Sequence, residues 1–139
     1  MTQIQLLRPE GLVASPAFSH VAVVPPGATT VYVGGQNAVD RNGVLVGGTD
    51  VAAQTRQVMA NLVTALDAAG AGIEHLVSVF VVLVEGVDVQ AAYAAAAATL
   101  GPTKTPPLVS AAIVSGLGVP GALVEVSAVA AMPGRAPTD

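Results

Sequence analysis

The sequence predicts an α+β fold, a single mixed β-sheet with two helices packed on one face. Three observations carry the prediction. The segment "TDVAAQTRQVMANLVTALDAAGAG" (49–72) repeats apolar residues at helical spacing. A second segment, "DVQAAYAAAAATLG" (88–101), is alanine-rich and closes on Gly101-Pro102. The segments around them are short, β-branched and bounded by Gly and Pro. The resulting order, β-β-α-β-α-β-β, does not allow an all-parallel sheet. A length of 139 residues fits one domain over 1–139.

Taken in order, residues 1–18 read as irregular, with Pro9 and Pro16 as breakers. "HVAVV" (20–24) and "TVYVGG" (30–35) flank the turn composition "PPGAT" (25–29), so 20–35 reads as a hairpin. Asn42-Gly43 is a further turn signal. Thr49 or Asp50 can cap the first helix, whose apolar face carries Val51, Val58, Leu62, Leu66 and Ala69 beside Met59 and Ala65. Gln54, Arg56, Gln57, Asn61 and Asp67 fall mostly off that face, and Gly70 and Gly72 end the helix. "HLVSVFVVLV" (75–84) is a continuous apolar strand, and Asp88 caps the second helix. "PLVSAAIVSGL" (107–117) and "GALVEVSAVA" (121–130) are two last strands joined by a Gly/Pro turn, and "PGRAPTD" is a loose tail.

Composition excludes several functions. The chain is 53% hydrophobic and 10% charged, against a usual charged share of about 25%. Its longest strongly apolar stretch, Leu76 to Val84, is far shorter than the roughly 20 residues a spanning helix needs, so no membrane segment is expected. The excess lies in Ala, Val and Gly, which points to apolar surface covered in a subunit interface. Net charge is −4 and the five cations are scattered, which argues against nucleic acid as a partner. No cysteine is present, so disulfides and thiolate metal sites are excluded. Residues 1–20 lack a basic region followed by an apolar one, so a soluble cytoplasmic protein is expected.

One carboxylate, Glu125, interrupts the apolar stretch "GALVEVSAVAAM". Strand alternation puts Val124, Val126, Ala128 and Ala130 on one apolar face, suited to the helices, and Leu123, Glu125, Ser127 and Val129 on the other. Glu125 is then either exposed on a solvated sheet face or placed at a subunit cleft, where it holds a water or takes a proton. The two histidines, His20 and His75, have no ligand spacing, so no metal site is expected. His20 is a general acid or base, or a strand-start residue with its ring in water. His75 is a surface residue. Ser110 and Ser127 have no visible base beside them.

The chain resembles the reactive-intermediate deaminase A family (RidA or YjgF, the endoribonuclease L-PSP type). The resemblance rests on several pieces in order: Gly35-Gln36 ending a strand, the Gln54-to-Gln57 helix closing on Ala68-Ala69-Gly70, Tyr93, Pro106-Pro107 and "LVEVSAVA". It implies a small α+β sandwich of the chorismate-mutase-like type, assembled as a homotrimer with a central barrel and ligand clefts between subunits. It also implies hydrolysis of enamines or imines to a keto acid and ammonia, with no metal or organic cofactor. The family glutamate that positions water corresponds to Glu125. The family arginine that clamps a substrate carboxylate corresponds to Val109, or to Leu108 one residue away, and neither can form that pair. Phe18, Ser19 and His20 stand where relatives carry an aromatic and an amide, and Gln90 before Tyr93 stands for an asparagine. The substrate-binding residues implied are Phe18, Ser19, His20, Gly35, Gln36, Tyr93, Val109 and Ser110. Three functions follow: an arginine-less hydrolase acting on a small, carboxylate-free imine or enamine; a non-catalytic trimer that binds a small apolar ligand or a protein; or a recruited member performing another water- or proton-dependent step.

Overall fold

The computed structural model describes residues 3–134, so Arg135 to Asp139 of the expected tail lie outside the described residues. Its main sheet has four strands, β3 (Thr29–Gln36), β4 (Leu76–Val84), β5 (Leu108–Val114) and β6 (Val124–Met132), in the order β3-β6-β4-β5. β5 runs parallel to β4, and β6 is antiparallel to both β3 and β4. Two helices, α1 (Val51–Ala68) and α2 (Val89–Leu100), complete the predicted α+β architecture.

Each helix starts where the sequence places a cap. Asp50 Oδ1 accepts from the Ala52 and Ala53 N–H groups at 3.0 and 3.3 Å, and Asp88 Oδ1 accepts from Ala91 at 3.1 Å. Val51, Val58, Met59, Leu62 and Leu66 of α1 are buried as expected. Ala69 is not: it is the C-cap and is exposed. The helices meet the face made by Val79, Val81 and Leu83 of β4 and by Val124, Val126 and Ala128 of β6, which lie side by side in register. The alternation read for β6 holds along this whole face, where Val124, Val126, Ala128 and Ala130 are all buried.

The expected hairpin over 20–35 does not form. Val21–Val23 is a short strand, β2, that pairs antiparallel with β1 (Gln5–Leu7), while β3 pairs with β6. The segment expected to be irregular thus contributes a strand. Pro25 and Pro26 offer no N–H to a ladder, and β6 gives β3 a longer partner. The β1–β2 ribbon is fastened to the edge of β5 by a bridge between Ser19 and Leu108, with Ser19 N–H donating to Pro107 O at 3.1 Å. The last two strands are likewise not neighbours, because β4 lies between them.

Gln54 was expected off the apolar face and is instead fully buried. Its amide nitrogen donates to Gly48 O at 2.7 Å and to Gly121 O at 3.0 Å, and its Oε1 accepts from Leu123 N–H at 2.8 Å. Gly47 makes room for this: its φ is +98°, and a Cβ there would lie 2.8 Å from the Gln54 backbone nitrogen and 3.0 Å from its Cγ. One side chain therefore joins α1, the loop before it and the approach to β6. Gln54→Leu keeps the volume, leaves the part-buried Leu123 N–H without a partner at a cost of about 1–3 kcal/mol, and removes the bonds to the Gly48 and Gly121 carbonyls, worth about 0.5–1.5 kcal/mol each. Urea unfolding is expected to show a loss of about 3 kcal/mol or more, and a loss under about 1 kcal/mol would rule out this role.

Candidate active site

The strand register sorts the expected site residues onto two faces. Val82 of β4 stands opposite Glu125, Phe80 opposite Ser127 and Ser78 opposite Val129. On the other side of β4, Ser78 pairs with Leu108, Phe80 with Ser110 and Val82 with Ala112. Glu125 therefore shares the open face of the sheet with Leu108, Ser110 and Ser127. Val109 pairs with Val79 and stands on the opposite face, toward the helices. Of the two positions read for the missing arginine, Leu108 shares the face of Glu125 within one chain and Val109 faces the helices.

Glu125 is the only charged residue in the four main strands. It is half-buried, and no described residue donates a hydrogen bond to it. Its carboxylate lies over Gly35, where an added Cβ would sit 2.7 Å from Glu125 Cδ. The close approach arises from a β-bulge. Val33 pairs with Ala128 and Gln36 with Val126, so β3 carries one extra residue at Gly34–Gly35. Glycine at 35 leaves the space that the carboxylate fills. Gln36 turns its amide back onto Gly34 O at 3.2 Å. Gly35 and Glu125 are thus brought together as expected, with Gln36 beside them in the chain.

The remaining expected residues gather elsewhere. Phe18, Tyr93 and Val109 line one cavity of about 690 Å³ between α2 and the helix-facing side of the sheet. Neither Glu125 nor Gly35 lines it, although Val124 and Val126 do. Ser19 is buried, and its hydroxyl is the one buried side-chain polar atom without a partner among the described residues. His20 Nε2 is 2.8 Å from Val13 O, so it carries the proton and donates it, and the ring packs edge-on against Phe18 with centroids 5.3 Å apart. The histidine therefore anchors the 9–17 segment. His75 Nδ1 accepts the Gly72 N–H at 2.9 Å, which leaves it no proton there, so its 3.7 Å approach to Glu74 is not an ion pair. Ser110 is exposed on the open face.

Arg8 is a residue that sequence reasoning passed over. Its guanidinium donates to Ser15 O at 3.0 Å and to Lys104 O, which ties together the two loops that border the cavity. A lone arginine before Pro9 carries no signal for contacts so distant in sequence. Lys104, the cation nearest in sequence to Leu108 and Val109, lies on one of these loops and not on the sheet.

No helix among the described residues is long and apolar enough to cross a membrane. The profile of the family described as Endoribonuclease L-PSP matches residues 10–132. Comparison with curated proteins gave no match. Among solved structures, a protein of unknown function of the conserved Rid family from Yersinia pestis is 32% identical, with a TM-score of 0.81 over 95% of this chain and 100% of its own. RidA from the Antarctic bacterium Psychrobacter is 25% identical, with a TM-score of 0.61 over 95% and 99%. A YjgF-family member from Mycobacterium tuberculosis is 25% identical, with a TM-score of 0.60 over 94% and 100%. With the profile spanning nearly all of the described residues and the folds superposing end to end, the chain belongs to the Endoribonuclease L-PSP family, the family of RidA and YjgF.

Proposed function

We propose that this protein is a RidA-type hydrolase of small imines or enamines that lack a carboxylate, with Glu125 holding the attacking water. The observation that carries the reading is the isolation of Glu125. It is the sole charge on the strands, it rests against a glycine bulge, and no described donor satisfies it. A water on that carboxylate donates one hydrogen bond to it. As the water oxygen attacks the C=N carbon, Glu125 takes the proton. Returning that proton to the nitrogen gives the carbinolamine, which collapses as the C–N bond breaks and its hydroxyl proton passes to the nitrogen by way of Glu125, so that a carbonyl compound and ammonia leave.

The open face supports a carboxylate-free substrate. Its neighbours on β3 to β6 are neutral, Val109 and Leu108, the two positions read for the clamp, are both apolar, and Arg8 is engaged by backbone carbonyls. The same face supports assembly into a homotrimer, since Tyr32 and Phe80 leave it apolar and exposed. Within one chain Leu108 and Glu125 are two strand spacings and four residues apart in register, or about 16 Å at ordinary strand dimensions. Groups so far apart act on one small molecule only if a second copy brings its own β5 to the cleft. The scattered cations favour a small molecule over RNA as substrate.

Ammonia release from freshly generated imines, with and without a carboxylate, tests the reading. Wild type is expected to accelerate the carboxylate-free series, and Glu125→Gln to lose about 10²–10⁴-fold in rate with the assembly mass unchanged. Equal rates for the two proteins would remove Glu125 from the chemistry and leave a binding protein.

Gly35→Ala gives a second test. The new methyl displaces the flexible end of Glu125, so melting is expected to change by the equivalent of less than about 1 kcal/mol. Activity is expected to fall by about tenfold or more, because the carboxylate no longer sits where the bulge places it.

A further inference from the structure

A bulge sets Glu125 against Gly35, and the ladder between β3 and β6 stops just beyond it. Its last rung pairs Gln36 with Val126. Adjacent carbonyls of a strand point to opposite edges. Leu123 O faces β4, where it accepts from Val84 N–H at 3.0 Å, so Val124 O points toward β3, which has ended. Asn37 takes up that carbonyl: its side-chain amide donates to Val124 O at 3.3 Å, on the residue just before Glu125. Asn37 is itself held from the helix layer. Asn61 of α1 donates through Nδ2 to Asn37 O at 3.0 Å and to Val39 O at 2.9 Å. Both acceptors are carbonyls, so the amide nitrogen must face them, and the Asn61 oxygen is left to accept from Gln57 Nε2 at 2.9 Å. Gln57 and Asn61 stand one helical turn apart on the same flank of α1. Three side-chain amides thus run in series from α1, over the end of β3, to the backbone beside the carboxylate.

We propose that Asn37 and Asn61 are positioning residues for Glu125, through which α1 holds the glycine bulge and the start of β6 at a fixed separation. The proposal rests on the hydrolase reading for its effect on rate, and on geometry alone for its effect on structure. Neither asparagine bonds to the carboxylate. Each grips one of the two backbone segments that place it: Asn61 the chain two residues after Gly35, and Asn37 the residue before Glu125. A neutral amide suits both positions. It supplies the N–H donors that the carbonyls require, and it adds no charge near a carboxylate that must take up a proton. An aspartate at position 61 would turn oxygens onto the Asn37 and Val39 carbonyls and leave both without a donor. The network also gives a task to Gln57 and Asn61, two half-buried polar residues that lie off the apolar face of α1.

The test compares Asn37→Ala, Asn61→Ala and Gln57→Ala with wild type, and takes Val58→Ala, from the buried side of α1, as a control. With freshly generated propan-2-imine, the two asparagine variants are expected to lose at least about tenfold in kcat while KM stays within about twofold, because the apolar open face still binds substrate. Gln57→Ala removes only the bond that orients Asn61, and a loss of about threefold in kcat is expected. Val58→Ala is expected to lower Tm and keep kcat, which separates positioning from stability. A second readout needs no substrate: the nuclear Overhauser contact between the Gly35 α-protons and the Glu125 γ-protons. It is expected in wild type and Val58→Ala and lost in both asparagine variants. Absence of imine hydrolysis by wild type would end the hydrolase reading, and the Overhauser contact would then decide this proposal alone. An intact contact or wild-type kcat in either folded asparagine variant, or an equal loss of kcat in Val58→Ala, would overturn it. If neither asparagine variant folds, wild-type kcat together with an unchanged contact in Gln57→Ala would do the same.

Discussion

The buried amide of Gln54 is the constraint on which the arrangement of the site depends. A glutamine in an apolar interior is costly unless its amide is paired, and here both ends are engaged. The three carbonyl and N–H groups it meets belong to two connections that regular structure does not satisfy: the turn before α1 and the approach to β6. By holding Leu123 N–H, the amide fixes the residue just before β6, two residues before Glu125. The position of Glu125 opposite Val82 therefore follows from a contact made on the helix side of the sheet.

Strand alternation then divides the chemistry of the molecule. Side chains one residue apart on a strand cannot reach the same ligand, because the sheet lies between them. Val124 and Val126 form part of the cavity wall, while Glu125 between them faces away. Leu108 and Val109 divide in the same manner on β5. Apolar residues that looked like companions of the carboxylate in the sequence, Phe18, Tyr93 and Val109, do cluster with one another. They cluster behind it, around a different volume.

What was legible in the sequence was what local pattern determines. The cap at Asp88, the choice of Thr49 or Asp50 at the first helix, the presence of both helices and the two faces of β6 follow from spacing and side-chain chemistry. Non-local choices were not legible. Val21–Val23 has the composition of a hairpin arm, but its partner is set by which strand reaches it in the folded chain, and that is Gln5–Leu7. Gln54 looked like a solvent-facing residue because its value comes from backbone groups up to 69 residues away. Which of Leu108 and Val109 shares a face with Glu125 was not legible either, since it is a matter of parity relative to β6. That parity is transmitted through β4, which pairs with both strands.

The alanine run shows how one sequence choice serves two ends. Alanine is the strongest helix former, so α2 holds its shape without large side chains driving it onto the sheet. The same choice removes the bulk that would normally fill the layer between them. Only Ala92 and Ala95 of α2 are buried outright, so the helix is held by its Asp88 cap, by its packing on α1 and by the loops that Arg8 ties together. A core that merely lacked volume would be expected to collapse where the helix meets the sheet. This one keeps an open space because its two ends are anchored independently of the contacts across it. The carboxylate face and the apolar cavity are therefore separate consequences of the same sheet. Substitutions can alter one while leaving the register that builds the other intact.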